Sequence, residues 1–170
     1  RVGRLIGRDL NLFAFHLPLD AHPVLGNNAQ LAVRLGIEAD LSEVQHFGDQ
    51  SLGWLTEGQY PSCEAFAEHV GCRLARSVTL IPGDGRQIRR VALCTGGAQG
   101  YFEAAIAAGA DVFLTGEISE PQAHYARETG VAFIACGHHA SERYGVQAVG
   151  QHAADALGIE HLFIDIENPA

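Results

Sequence analysis

The chain has 170 residues, of which 47% are hydrophobic and 18% charged, and its formal net charge is −9. A chain of this length and composition is expected to fold as one compact soluble domain, or as two small ones sharing a core. No apolar run approaches the roughly 20 residues of a membrane span, and no basic cluster is longer than Arg89-Arg90. These features argue against a membrane protein and against a nucleic-acid-binding protein.

The four cysteines indicate a cell compartment. They form no C-x-x-C pair, which argues against a Cys-rich zinc site, and Cys94 and Cys136 each end an apolar run. We expect these two to be buried small residues. Because nothing in the spacing indicates a disulfide scaffold, a reducing cytoplasm is the expected location.

The first half of the chain shows a moderately regular pattern of apolar residues, prolines and glycines. It predicts a strand over Asp9–Phe15 ended by Pro18, a helix over Asn27–Leu35 with an Asn cap and a stop at Gly36, a strand around Trp54, a helix over Pro61–Val70 stopped by Gly71, and a strand over Arg73–Leu80. The least regular part is residues 37–85, so the fold class depends mainly on the second half.

The second half alternates strands and helices clearly. Strands are predicted over Ile88–Cys94, Asp111–Leu114, Val131–Cys136 and His161–Ile166, with helices from TGGAQG to Gly109, over Pro121–Glu128, and from GHHASE to about Leu157. This βαβαβαβ order predicts an α/β fold with mostly parallel sheets and helices on both faces. Ligands of such sheets bind beyond the carboxyl ends of the strands.

The segment GHHASE, residues 137–142, gives the strongest chemical signal at that edge. His138 and Glu142 stand at positions i and i+4 at the start of a helix, so both can point to a single ion. Imidazole nitrogen and carboxylate oxygen are a usual ligand pair for Zn, Fe, Mn or Ni ions. The alternative is a solvated helix N-terminus at which the helix dipole favours Glu142.

The segment HLPLD, residues 16–20, adds two further candidates. Pro18 breaks the preceding strand and leaves Asp20 just beyond its end, where the carboxylate either binds a cation or forms an Asx-turn. His16 is a candidate proton donor or orienting group, and a core histidine is the alternative. We therefore take Asp20 as a candidate ligand and His16 as a candidate catalytic residue.

Two more segments follow predicted strands. CTGG, residues 94–97, could bring backbone N–H groups close to a phosphate at a helix N-terminus, but it matches neither the dinucleotide motif nor the P-loop. Glu117 in TGE is a candidate catalytic general acid or base. A cap on the following helix is the alternative role for Glu117.

Together, the segments HLPLDAHPVLGNNAQLA, CTGGAQG, DVFLTGEISEPQ, CGHHASER and FIDIENPA resemble the YbgI-type proteins, the GTP cyclohydrolase 1 type 2 homologues of the Nif-interacting-factor-like superfamily. The resemblance runs from about Asp9 to Ala170 and is weakest over residues 38–85. It implies a toroidal homohexamer whose subunits have two α/β domains sharing a central site for two divalent metal ions. In this chain the expected division is residues 1–40 with 137–170 as the metal-binding domain and residues 41–136 as the second.

The resemblance also implies residue roles. Asp20, His138 and Glu142 match metal ligands of the family, Glu142 being the one that bridges both ions, and His139 matches no ligand. The family supplies two further ligands from a His-His pair that ends an N-terminal strand, and no such pair precedes HLPLD here. The chain also begins with Arg1 and contains no Met. We therefore expect an N-terminally truncated chain with little hydrolase activity of its own.

The function implied by the resemblance is a divalent-metal-dependent hydrolase, in which a metal-activated water attacks a nucleotide or a related heterocycle. If the cyclohydrolase name holds, water attacks C8 of the purine ring of GTP and formate leaves. Two alternatives are a non-catalytic metal-binding or interaction scaffold, and another metallohydrolase such as a phosphoesterase or amidase. The residues alone name neither the metal nor the substrate.

Overall fold

Six strands form one sheet in the computed structural model, which describes residues 1–37 and 44–170. The strands are β1 (Gln45–Phe47), β2 (Gly53–Tyr60), β3 (Thr79–Ile81), β4 (Ile88–Leu93), β5 (Val112–Thr115) and β6 (Ala132–Ala135). Their order across the sheet is β1-β2-β4-β5-β6-β3. This architecture confirms the α/β class predicted from the alternation of strands and helices.

The parallel part of the sheet is its centre. Strands β4, β5 and β6 run parallel, whereas β1, β2 and β3 join the sheet through antiparallel pairings. Residues 48–52 connect β1 to β2, and a parallel pair would need a crossover of roughly a dozen residues or more. The mostly parallel arrangement that we predicted therefore holds for β4–β6, and the sheet as a whole is mixed.

The helices begin and end where local side chains allow it. Ser62 accepts a hydrogen bond from the Ala65 N–H (3.3 Å) at one start. Ser119 and Gln122 form a capping box at another, and that helix ends at Gly130 with φ +75°. The described helices are α1 (Val2–Ile6), α2 (Leu17–Asp20), α3 (Asn27–Leu35), α4 (Cys63–Leu74), α5 (Phe102–Ala107), α6 (Glu120–Thr129) and α7 (His138–Leu157), with 3-10 turns at Asp49–Ser51 and Gln99–Tyr101.

Helices pack on both faces of the sheet, as predicted. In β5 the side chains alternate: Val112 and Leu114 lie in one apolar cluster with Leu31 of α3 and Phe66 of α4. Phe113 lies in a second cluster, with residues of α5 and α6. All five side chains are fully buried, each contributing roughly 1.5–3 kcal/mol to stability. This burial on two faces holds the carboxyl ends of β4, β5 and β6 at one edge of the sheet.

Helix α4 is longer than its sequence pattern predicted. Gly71, which we took as the stop, lies inside the helix, and α4 ends at Ala75 with φ +54°. Val70 and Leu74 are buried against the sheet, and this packing outweighs the roughly 1 kcal/mol that an interior glycine costs. The strand predicted over residues 73–80 accordingly begins only at Thr79.

Two predicted strands are not formed. The predictions over Asp9–Phe15 and His161–Ile166 fall on segments without regular secondary structure in the described chain. Their apolar side chains are largely exposed, and Phe13 and Leu162 are each 81% exposed. Alternating apolar residues give a segment strand propensity, but a strand forms only where its N–H and C=O groups find a neighbour. Both strand predictions were therefore wrong.

The six strands all lie within residues 45–135, and helices α3 and α7, which flank that range, pack against each other. The division into residues 1–40 with 137–170 and residues 41–136 stays a prediction. Across residues 1–37 and 44–170, no helix is both long enough and apolar enough to cross a membrane.

Candidate functional site

A cavity of about 290 Å³ opens beside the carboxyl ends of the central strands. Its lining includes His16, Asp20, Cys94, His138 and Glu142. Asp20 ends α2, Cys94 follows β4, and His138 begins α7. The sheet thus brings segments from opposite ends of the chain to the edge where ligands of α/β folds bind.

His138 lies between two carboxyl groups. Its Nδ1 is 2.6 Å from Glu117 Oε1, and its Nε2 is 3.1 Å from Glu142 Oε2. The hydrogen bond from His138 lowers the pKa of Glu117, so this carboxylate is ionised and accepts. The Nδ1 atom of His138 must therefore carry the proton, and the same bond raises the pKa of His138.

The carboxylate of Glu142 carries an unfavourable charge at this site. Burial raises the pKa of its carboxyl above the ordinary value, the neighbouring His138 ring opposes the rise, and the charge of Asp20 adds to it. Two carboxylates that disfavour each other in a partly buried cavity attract any cation that can lie between them. The electrostatics of the cavity therefore favour a positively charged ligand.

Asp20 is held by an asparagine. The Asn27 side-chain amide donates from Nδ2 to Asp20 Oδ1 (2.7 Å), and its Oδ1 accepts from the Gly145 N–H of α7 (3.0 Å). Asn27 is buried at the first turn of α3. One side chain therefore connects α2 and α7, the two elements that carry Asp20 and Glu142.

The Gly-rich segment after β4 allows a close approach of backbone to side chains. Gly96 has φ +71°, and a Cβ at this position would collide with the Glu142 carboxylate and lie 3.1 Å from His138 Nε2. The Gly96 N–H donates to Ser141 Oγ (2.9 Å), and the Thr95 N–H donates to Asn28 Oδ1 (2.9 Å). Both amides already have partners, so the phosphate cradle that CTGG suggested is not supported at these two positions.

The buried cysteines were predicted correctly. Cys94 and Cys136 are buried, and burial raises the pKa of each thiol to about 12. Cys94 lies on the cavity but stays protonated at neutral pH, and the thiolate is the form that binds metals and acts as a nucleophile.

The structure brings most of the sequence-predicted site residues together. His16, Asp20, His138 and Glu142 line one cavity, and Glu117 contacts the site through His138. Among residues 1–37 and 44–170, however, no three His, Cys, Asp or Glu side chains are arranged closely enough to hold a metal ion. The roles of these residues as ligands and catalysts therefore stay predictions.

Sequence reasoning missed the contribution of the two asparagines in NNAQLA. It assigned Asn27 as a helix cap, whereas the residue at the cap position is Gly26 and both asparagines lie inside α3. Asn27 and Asn28 are 6% and 0% exposed. Two adjacent buried amides at one helix start are a usable signal, because buried polar groups need partners, but the pattern does not say which partners they find.

Comparison with known proteins identifies the family. The sequence matches Duf34/NIF3 (NGG1p interacting factor 3) over residues 1–169. The chain belongs to the Duf34/NIF3 family. Relatives from Pseudomonas aeruginosa and Neisseria meningitidis serogroup B are 51% and 50% identical to it over 173 residues, covering 100% of this chain and 67% of each relative. Both are named GTP cyclohydrolase 1 type 2 homolog.

Two solved structures share the Duf34/NIF3 fold. Protein ybgI, described as of unknown function, is 41% identical with a TM-score of 0.86, covering 98% of this chain and 66% of its own. TTHA1606 from Thermus thermophilus is 28% identical with a TM-score of 0.86, covering 99% and 66%. The chain thus spans about two thirds of these proteins, and the family predicted from the motifs is confirmed.

Proposed function

We propose that this Duf34/NIF3 protein is a divalent-metal-dependent hydrolase that acts on a nucleotide or a related heterocycle. The observation that carries the proposal is the series of contacts Glu117–His138–Glu142 beside a cavity that Asp20 also lines. A metal-binding histidine commonly donates its second ring N–H to a carboxylate, which fixes its tautomer and orientation. Glu117 stands in that relation to His138.

The donor groups suit a divalent cation. Asp20 and Glu142 offer carboxylate oxygens and His138 offers Nε2, a set that Zn, Fe, Mn or Ni ions accept. Gly96 leaves beside these donors a space that a Cβ would fill. The family resemblance implies two such ions in the complete protein. A bound ion would lower the pKa of a coordinated water and polarise the bond under attack.

The side chains around the donors have distinct parts in the proposal. Glu117 keeps the His138 proton on Nδ1 and so leaves Nε2 for the ion, which makes Glu117 a positioning residue for His138. Glu142 and Asp20 supply the negative charge that retains the cation. His16 lies on the same cavity and is the proposed proton donor to the leaving group.

The substrate class comes from the names of the relatives. They are called GTP cyclohydrolase 1 type 2 homologs, and the corresponding reaction is attack of water at C8 of the purine ring with release of formate. The proposed location is the cytoplasm, which the four unpaired cysteines support.

Assembly into a homohexamer is part of the proposal. Large apolar side chains are exposed along the two segments that failed to form strands, including Leu12, Phe13, Phe15, Leu162 and Ile164. Phe13, Phe15, Leu162 and Ile164 line one pocket on the surface, and contiguous apolar surface commonly marks an interface. The same surface favours the second candidate function, a metal-binding scaffold that presents a surface without turnover.

The test uses the Glu142→Ala and His139→Ala variants. Glu142→Ala removes a proposed ligand and is expected to lose most of the bound metal, measured by elemental analysis. His139→Ala removes the neighbouring imidazole, which is not a proposed ligand, and is expected to keep the metal. Equal metal content in the two variants would show that Glu142 is not a metal ligand and acts only as a charge near the helix N-terminus.

Turnover separates the candidate functions. Metal-loaded protein is incubated with GTP and assayed for formate, and a parallel set of phosphate esters and amides is assayed for hydrolysis. Formate release supports the cyclohydrolase. Hydrolysis of an ester or amide alone moves the assignment to another metallohydrolase, and metal binding without any turnover favours the scaffold.

A further inference from the structure

We propose that Asn27 is a positioning residue for the candidate metal site, holding the Asp20 carboxylate towards the helix that carries His138 and Glu142. This inference rests on the proposed metal-binding function. It concerns a side chain that contacts one proposed ligand and the backbone of the ligand-bearing helix.

The Asn27 side-chain amide forms hydrogen bonds at both of its ends. Asn27 Nδ2 donates to Asp20 Oδ1 (2.7 Å) and Asn27 Oδ1 accepts from the Gly145 N–H (3.0 Å). The amide carries a donor and an acceptor on one planar group, so a single side chain makes both bonds at once. Asn27 therefore sets the distance between α2 and α7 near the proposed metal ligands Asp20 and Glu142.

The sequence of α7 accommodates this contact. Gly145 lies in the interior of a helix, where glycine costs roughly 1 kcal/mol relative to alanine. A Cβ at position 145 would collide with the Asn27 amide and would lie 3.2 Å from the Asn27 backbone nitrogen. The close approach of α3 to α7 thus explains a glycine that helix propensity disfavours.

The adjacent asparagine provides the contrast. Asn28 is equally buried, yet its Nδ2 donates to the Leu52 carbonyl (2.7 Å) and its Oδ1 accepts from the Thr95 N–H (2.9 Å). These are backbone groups of the cavity walls, not proposed ligands. Asn28 therefore supports the walls, whereas Asn27 orients a donor.

Residues that orient a metal ligand through a hydrogen bond typically change metal affinity by about 10–100-fold when removed. Without Asn27, the Asp20 side chain at the end of the short helix α2 loses its described hydrogen-bond donor. The expected consequence is a weaker site whose geometry differs from that of the parent protein.

The experiment measures Co²⁺ binding by the ion's visible absorption, together with thermal unfolding in chelator. Asn27→Ala and Asn28→Ala are compared first. Both are expected to lower the unfolding temperature, but Asn27→Ala is expected to weaken Co²⁺ binding about 10–100-fold, more than Asn28→Ala does, and to alter the shape of the absorption band. A purely structural role would move the unfolding temperature without changing the Co²⁺ spectrum.

A second pair of variants leaves both asparagines in place. Gly145→Ala displaces the Asn27 amide and is expected to weaken Co²⁺ binding in the same direction. Gly150→Ala is the control on the same helix, because the atoms nearest to its Cβ would belong to the ring of the exposed His161. This control is expected to bind Co²⁺ as the parent does.

The outcomes separate the two proposals. The positioning role would be overturned if the parent, Asn27→Ala and Gly145→Ala proteins bound Co²⁺ with equal affinity and equal spectra. The proposed metal site itself would not be affected by that result. Equal weakening in Asn27→Ala and Asn28→Ala would also overturn it. A parent protein that binds no Co²⁺ would instead overturn the metal-binding function, and the positioning role with it.

Discussion

The carboxylate of Glu142 holds a charge where the surrounding protein disfavours it. Burial raises its pKa, and the nearby charge of Asp20 acts in the same direction against the opposing effect of His138. A site that is poised for a cation often lowers the stability of the ion-free protein in this way. Glu142 is therefore expected to lower the free energy of unfolding of the ion-free protein. It is also expected to raise the affinity of the site for a cation.

Replacing Glu142 by Gln tests whether the carboxylate lowers the stability of the ion-free protein. When the pKa of a carboxyl is higher in the folded state than in the unfolded chain, the ionised carboxylate destabilises the fold, because ionisation is more favourable in the unfolded chain. The destabilisation is complete at pH values above the folded-state pKa. At pH 7 in chelator, Glu142→Gln is expected to unfold at a higher temperature than the parent. The difference should shrink as pH falls towards the ordinary glutamate value of about 4.5, and it should be lost below that value.

The control for this measurement is Glu68→Gln, at an exposed position in α4. It should change the free energy of unfolding by less than about 0.5 kcal/mol. If Glu142→Gln unfolds at a lower temperature than the parent at pH 7, the contact with His138 outweighs the burial of the carboxylate, and the cavity is not strained in the way described.

The turn between β3 and β4 connects the edge of the sheet to the end of α6. Asp84 accepts hydrogen bonds from the Arg86 N–H (3.1 Å) and from Arg86 Nε (2.8 Å), while its own N–H donates to the Gly130 carbonyl (3.0 Å). The hydrogen bonds from Arg86 hold the pKa of Asp84 at about 2. The sequence Pro-Gly-Asp-Gly at residues 82–85 is typical of a turn, but nothing in it predicts the ionic contact.

Asp84→Asn is expected to make acid unfolding less steep. A carboxyl with a lowered folded-state pKa contributes stability above its ordinary value of about 3.8, and that contribution is lost as pH falls towards 2. The parent should therefore be slightly more stable than Asp84→Asn at pH 7, and the two should converge near pH 2. The measurement is urea unfolding at several pH values.

The difference in unfolding free energy between the parent and Asp84→Asn will be small, because Asp84 and Arg86 are both exposed and surface ion pairs contribute little to stability. Asp155→Asn in α7, whose carboxylate accepts from Gln151 (2.8 Å), is a matched control without a cationic partner among its described contacts. The stability difference between the parent and Asp84→Asn could instead stay constant from pH 7 to pH 2. That result would show that Asp84 acts through its turn hydrogen bonds alone.

The donors proposed among the described residues limit how much metal the chain is expected to hold. Asp20, His138 and Glu142 are three donors, and a two-ion site with one shared carboxylate needs more. The 170-residue chain is therefore expected to bind at most one divalent ion per subunit, with low affinity. Metal analysis after gel filtration, with light scattering for the mass, measures both the stoichiometry and the proposed ring.

Two tightly bound ions per chain would contradict this expectation. Among the residues that the structure describes, His16 and Glu117 lie at the site and are the candidates for the extra ligands. His22 is a poorer source, because its Nδ1 already accepts from the Val24 and Leu25 N–H groups (3.2 and 3.0 Å). Variants at His16 and Glu117 would then identify the missing ligand.

Much of the fold was readable from short stretches of sequence. Apolar periodicity and residues that start or stop an element predicted the helix over Asn27–Leu35, the helix over Pro121–Glu128 and the buried strands β4, β5 and β6. These signals are local, because a cap or a period depends on neighbours a few residues away. The ordered motifs also identified the family.

Contacts between distant segments decided the rest. No local rule predicts that Asn27 meets Gly145, that Glu117 meets His138, or that Asp20 shares a cavity with α7. The same holds for the residues at 9–15 and 161–166, whose strand pattern found no partner to pair with in the described chain. The sequence by itself determined the α/β class, the family and the types of donor available. Only the tertiary structure decided which donors meet, because the sheet edge that assembles them is made by burial and hydrogen bonding between segments far apart in the chain.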